Sequence, residues 1–246
     1  MMALSVGETL ALAAICFVAG VVRGFSGFAL SAMIMASAVL ILPPVYLIPI
    51  CSLLEAMASV LMIKGGSRDG DWPMVWRLTA GVVVGTPAGL YLTTTLPVDQ
   101  SRMLALFVVL ALAALQLGRI RVPALGTPVG TYIAGTVSGI ASGLASVGGM
   151  VIALFVLSQN APAARMRATL VLYLAVTILV GWFWLIWFDV LTIQSLIRAV
   201  FLALPVTLGV LLGARGFIPK YEHLYRPFCL CLLVGLAALG LVRMAL

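Results

Sequence analysis

The sequence predicts an all-α polytopic membrane protein of two inverted five-segment repeats, about ten transmembrane or half-membrane helices in one membrane domain. Three observations lead there. The 246-residue chain is 64% hydrophobic and 9% charged, more apolar surface than a soluble fold has interior to hide. Its apolar runs are continuous and approach the roughly 20 residues a helix needs to cross about 30 Å of hydrocarbon, without the alternation of barrel strands. Finally, residues 85–117 match residues 209–241 without a gap.

The apolar segments run in order over 4–22, 25–42, 45–63, 75–96, 102–117, 129–140, 144–157, 170–188, 193–212 and 228–241. Short polar interruptions at 64–71, 97–100, 118–128, 159–167 and 219–226 separate them and leave no room for a soluble domain. The first segment is expected to be retained rather than cleaved as a leader, because Glu8 stands where a basic flank belongs and no small-x-small cleavage site precedes a soluble chain. The sixth and seventh are short: 126–157 supplies 32 residues where two full crossings need about 40. That predicts a hairpin of abbreviated helices turned within 138–149 (SGIASGLASVGG), with an equivalent turn at 23–27 (RGFSG), although 4–42 is long enough for fuller spans.

The internal match pairs Gly85 with Gly209, Gly89 with Gly213, Arg102 with Arg226, and 112–115 with 236–239 (both LAAL). Upstream, Gly20-x-x-x-Gly24 matches Gly135-x-x-x-Gly139. Two repeats follow, 1–125 and 126–246. If all ten segments alternate, one side of the membrane collects eleven basic residues, Arg23, Lys64, Arg68, Arg77, Arg119, Arg121, Arg165, Arg167, Arg215, Lys220 and Arg226, and the other only three, Arg102, Arg198 and Arg243. This bias puts the first set in the cytoplasm and both termini outside. Fusing segments 1 with 2 and 6 with 7 gives a nearly even split, which argues against it. Five elements per half is odd, so the second half enters the membrane in the opposite sense.

Interrupted helices at matching positions of two halves point to a transporter's binding site. Helix starts there offer N–H groups without intrahelical acceptors and about half a positive charge, a setting for an anion. The candidate substrate-binding residues are Arg23, Gly24, Ser26 and Gly27 in the first half, and Ser138, Gly139, Ser142, Gly143, Ser146, Gly148 and Gly149 in the second. Helix packing through small-xxx-small motifs is the competing reading of the same glycines. Glu55 lies mid-segment, where a carboxylate must be paired, protonated or facing a cavity. It is the candidate for proton coupling, with an ion pair to Arg23 as the structural alternative. Matching Pro44 to Pro162 sets Tyr173 opposite Glu55, and with Thr169 it is available either to substrate or to packing. Trp182, Trp184 and Trp187 read as an aromatic belt.

Other chemistries find little support. Gly24-Phe25-Ser26-Gly27 has the G-x-S-G form that rhomboid-type intramembrane proteases place around a nucleophile, but a serine needs a base, and the one histidine, His223, falls in the polar connection 219–226. No catalytic residue is assigned. The four cysteines lie in apolar runs and read as small buried hydrophobes, with no metal-ligand pattern. No nucleotide-binding motif, cofactor site or basic nucleic-acid module is present; the +7 net charge belongs to loops over anionic lipid.

Length, duplication and the Gly/Ser-rich turns RGFSGFALS and SGIASGLASVGGMV resemble the TauE/SafE sulfite exporter family, also called the toluene sulfonate uptake permease family, over essentially the whole chain. Met150 follows Gly149 where members often carry a proline or a third glycine. The resemblance implies transport of small anions such as sulfite, sulfonates or sulfoacetate across a bacterial cytoplasmic membrane. A passive anion channel and a non-transporting anchor subunit are the alternatives, and export versus import stays open.

The charge count makes one measurement decisive. In a cysteine-free background, an impermeant thiol reagent applied from outside should label a single cysteine at position 2 and not one at position 67. The reverse pattern overturns the orientation.

Overall fold

The computed structural model describes residues 4–26, 29–62, 70–118, 127–157, 163–216 and 222–245. Positions 2 and 67, and Gly27 of the candidate site, lie outside them. The described residues form ten helices: α1 Val6–Ser26, α2 Leu30–Ala38, α3 Pro44–Met62, α4 Trp72–Thr95, α5 Val98–Leu117, α6 Pro128–Ala145, α7 Gly148–Leu157, α8 Ala163–Trp187, α9 Ile193–Arg215 and α10 Glu222–Ala245. Five are long and apolar enough to cross a membrane, within α1, α5, α8, α9 and α10. Large side chains such as Phe107, Leu179, Ile186, Phe201 and Leu204 cover their outer surfaces, an apolar exterior suited to lipid rather than water.

The helices follow the predicted segments in order, with three differences. Helix α2 has nine residues, about 14 Å at 1.5 Å per residue, where 25–42 suggested twice that. It stops at a turn over 39–42 because Pro43 disfavours the helical conformation for Leu42 before it. The second-half turn is confined to Ser146 and Val147, so α6 is a helix of 18 residues and only α7, with ten, is abbreviated. His223 lies in the first turn of α10 instead of a connection.

Packing crosses the two halves. Helix α1 lies along α9 and α4 along α6, the two most extensive contacts in the molecule. Shifting every helix by five turns one into the other. The same shift relates α3·α9 to α8·α4, α1·α2 to α6·α7 and α2·α3 to α7·α8, and maps α5·α10 and α3·α8 onto themselves. Each half is therefore completed by the other.

Glycines make both seams. A Cβ on Gly20 would lie 2.6 Å from the Val206 carbonyl oxygen, and one on Gly24 would meet Val210 and Gly213 of α9. From the other side, Gly209 and Gly213 face Phe17, Gly20 and Val21. In the second seam Gly81, Gly85 and Gly89 of α4 meet Gly135, Gly139 and Gly143 of α6, with backbone against backbone throughout. In lipid no hydrophobic force drives helices together, so close packing of small residues must do so. Threonine fastens the end of this seam, the Thr93 hydroxyl donating to the Gly143 carbonyl at 2.8 Å. The Trp182 indole N–H donates to Ser52 Oγ at 3.1 Å and ties α8 to α3, while Trp187 is exposed. Cys16, Cys51 and Cys229 are buried, whereas Cys231 is exposed.

Gly85→Leu and Gly139→Leu should each lower the thermal stability of the purified protein by several degrees or abolish the folded species, since a backbone wall cannot yield as a side chain can. Gly181→Leu and Gly235→Leu, at positions where a Cβ meets nothing within 4 Å, serve as controls and should leave melting nearly unchanged. Equal effects at all four positions would contradict the seams.

Candidate functional site

Helix α1 ends at Ser26 with Arg23 in its last turn, where the guanidinium faces the negative end of the helix dipole. Helix α2 begins at Leu30 behind Ala29, a residue in the left-handed conformation (φ 77°) whose side chain offers no cap. The missing cap comes from α3. Glu55 Oε1 accepts from the Ser31 backbone N–H at 3.2 Å and from the Ser31 hydroxyl at 3.0 Å. Glu55 Oε2 lies 3.2 Å from Arg23 Nη2, which also donates to Ser59 Oγ at 3.3 Å. Glu55 and Ser59 are four residues apart and so share one face of α3.

Electrostatics make this arrangement necessary. Arg23 is 4% exposed, and a guanidinium so buried in an apolar bundle needs a counter-charge. Glu55 supplies it and at the same time sits at the positive end of α2. The pair is nevertheless incomplete. Among the described residues, Arg23 Nε has no hydrogen-bond partner, and Glu55 Oε2 accepts no hydrogen bond of good geometry. The contact is single-pointed, not the two-pronged fork that arginine and carboxylate can form.

The matching place in the second half carries no charge. Aligning Gly24 with Gly139 sets Ser138 opposite Arg23, as Tyr173 stands opposite Glu55. Ser138 Oγ donates to the Gly148 carbonyl at 2.8 Å and lies 2.7 Å from the Tyr173 hydroxyl, which therefore donates to it. This neutral pair joins α6, α7 and α8 as the ion pair joins α1, α2 and α3. The left-handed residue recurs too, since Ser146 (φ 56°) precedes α7 much as Ala29 precedes α2. Gln116 of α5 donates to the Met150 carbonyl at 2.9 Å and fixes the first turn of α7.

The predicted site residues divide accordingly. Arg23 and Glu55 are brought together, as an ion pair. Gly24, Gly139 and Gly143 lie within α1 and α6 rather than at helix starts, and neighbouring backbone takes their Cα faces; packing is their place. Ser138 is inside α6 with its hydroxyl engaged. Ser142, also inside α6, lies against Gly148. Ser146 caps α6, and Gly148 and Gly149 open α7. Ser26 closes α1. Thr169 belongs elsewhere: its hydroxyl donates to the Arg165 carbonyl and accepts from the Asp71 N–H, in a network completed by the Arg165–Asp71 ion pair at 3.0 Å. That network clamps the start of α4 to the start of α8. Sequence reading missed Ser31 and Ser59, and marked Gln116 only as a polar residue near a segment end. Nothing local gives their roles, because the partners of Ser31, Ser59 and Gln116 are 24, 36 and 34 residues away.

A double-mutant cycle on Ser138→Ala and Tyr173→Phe should give a coupling of about 1 kcal/mol in thermal unfolding, the usual worth of a buried neutral hydrogen bond. Strict additivity would remove the pair as a structural element.

A model of the family described as sulfite exporter TauE/SafE matches residues 12–240, nearly the whole chain. No curated protein and no solved structure matches.

Proposed function

The chain belongs to the TauE/SafE sulfite exporter family, and from that premise we propose a secondary transporter that moves small sulfur-containing or carboxylate anions, such as sulfite, sulfonates or sulfoacetate, by alternating access. The family match carries this reading. The site adds to it, because a buried guanidinium with an unused N–H beside the start of α2 is a setting in which an oxyanion finds acceptor-hungry groups and positive charge together.

In this reading the anion is held by Arg23, with Ser26 and Gly27 at the first turn and Ser142, Ser146, Gly148 and Gly149 at the second. Glu55 carries the coupling proton. The repeats 1–125 and 126–246 are inverted, and the five-helix shift that relates their contacts supports that. Arg23 no longer counts as a loop charge, since it is buried, yet the remaining ten against three still favour both termini outside a bacterial cytoplasmic membrane. Export is the favoured direction. An anion leaving the cytoplasm gains about 2.3 kcal/mol per charge for each 100 mV of inside-negative potential.

Purified protein in liposomes, offered sulfite, thiosulfate, sulfoacetate, taurine and acetate, should give saturable flux of the sulfur oxyanions. Arg23→Ala should weaken anion affinity more than Ser142→Ala, whose loss is about 1 kcal/mol, or roughly fivefold. Flux that never saturates would indicate a channel, and none for any anion would indicate an anchor subunit.

A further inference from the structure

We propose that the Glu55 carboxylate is a resident anion: it occupies the place on Arg23 and the start of α2 that a transported oxyanion takes, and yields it by taking up a proton. The proposal rests on the transporter reading above and states how one site serves both anion and proton.

The geometry is that of a bound anion. One cation and two donors converge on one carboxylate, the Arg23 guanidinium as an ion pair at 3.2 Å, and the Ser31 N–H and hydroxyl as hydrogen bonds at 3.2 and 3.0 Å. These are the groups an external oxyanion would seek at a helix start. Glu55 fills them imperfectly. Its two oxygens are divided between α2 and Arg23, leaving Arg23 Nε unpartnered among the described residues although the side chain is only 5% exposed. An anion with three oxygens can engage both edges of the guanidinium and α2 as well.

Charge then dictates the exchange. A second anion beside an ionised Glu55 would meet like charge in a poorly solvated place. Moving the carboxylate away instead strands it without its cation, and a stranded buried carboxylate takes up a proton. Among the described residues, Arg23 is the one cation paired with Glu55. On its own helix the nearest titratable group is Cys51, with Cys16 of α1 beyond it. Helix α2 contributes Ser31, and α2 and α6 carry no charged residue. Of the other helices against α3, α8 has Arg165 and Arg167 in its first turns, Arg165 already paired with Asp71 of the α4 cap; α4 has Arg77 in its second turn; α5 has Asp99 and Arg102 in its first turns, paired with each other; and α9 has Arg198 and Arg215 towards its ends. The balance is simple: carboxylate and solvent proton give carboxylic acid when the anion binds, and the proton is returned when it leaves. A divalent oxyanion carried with that proton still moves one negative charge, whereas a monovalent sulfonate moves none.

Calorimetric titration of the purified full chain with methanesulfonate, and in parallel with sulfate, at pH 7 in buffers of different ionisation enthalpy tests this, because both probes keep fixed charge there. The parent protein should take up close to one proton per anion bound, and Glu55→Gln should take up none while binding about tenfold more tightly, its competitor being neutral. Anion binding by the parent without proton uptake overturns the resident anion and leaves the transporter reading standing. Unchanged or weaker binding in Glu55→Gln does the same, and if that variant does not fold, the parent's proton count decides alone. Absence of binding and of flux for every anion would overturn both.

Discussion

Everything in this molecule is positioned by two lines of helix contact in which backbone meets backbone. Along α1·α9 and α4·α6 the glycines remove the side chains that would hold two helices 8–10 Å apart, and dispersion and close packing replace the hydrophobic force that lipid cannot supply. Because each seam joins a helix of the first half to one of the second, neither half is a closed body by itself. The seams leave α2 and α7 free to be short: long neighbours surround them, so they need not span anything alone.

The short helices bring a problem that the fold solves differently in its two halves. A helix that begins inside an apolar bundle exposes N–H groups to no acceptor. At α2 the remedy is ionic, a carboxylate from α3 held in turn by an arginine from the end of α1, so that each charge faces the helix end of opposite sign. At α7 the turn itself supplies an acceptor, the Met150 N–H donating to the Val147 carbonyl at 2.9 Å, while a neutral serine–tyrosine chain donates to the Gly148 carbonyl and ties α6 and α8 to that helix. Residues 23 and 55 carry charge where the positions aligned with them, 138 and 173, carry none. Among the described residues the Arg23–Glu55 pair is the ion pair that lies inside the bundle, whereas the Arg165–Asp71 pair stands at the starts of α8 and α4.

Left-handed backbone at Ala29 and Ser146 belongs to the same economy. Each non-glycine residue in that conformation costs about 1 kcal/mol or more, and each turns the chain sharply into one of the short helices. Strain of this kind persists only where the surroundings hold it, here the seam on one side and the Glu55 or Ser138 network on the other.

Composition and continuous apolar runs determined the all-helical membrane class, and the order of the ten segments was legible because interruptions such as 64–71 and 97–100 are polar at single-sequence level. The small-residue spacing of Gly20 and Gly24, or Gly135 and Gly139, was legible too, but only as two possibilities: a turn that admits a ligand and a face that admits a helix look alike in one dimension. Tertiary structure chose the second for Gly24, Gly139 and Gly143, because their partners lie on α9 and α4, far away in the chain. It also placed the turn at Ser146 and Val147, where hydrogen bonds from their N–H groups to the Ser142 and Ala141 carbonyls close α6, a choice that composition over 138–149 leaves undetermined. Glu55 and Arg23 were each conspicuous as charges in apolar sequence. That one carboxylate serves both Arg23 and the start of α2 was decided only in three dimensions, since Ser31 gains its role from where α3 passes and from nothing in its own neighbourhood.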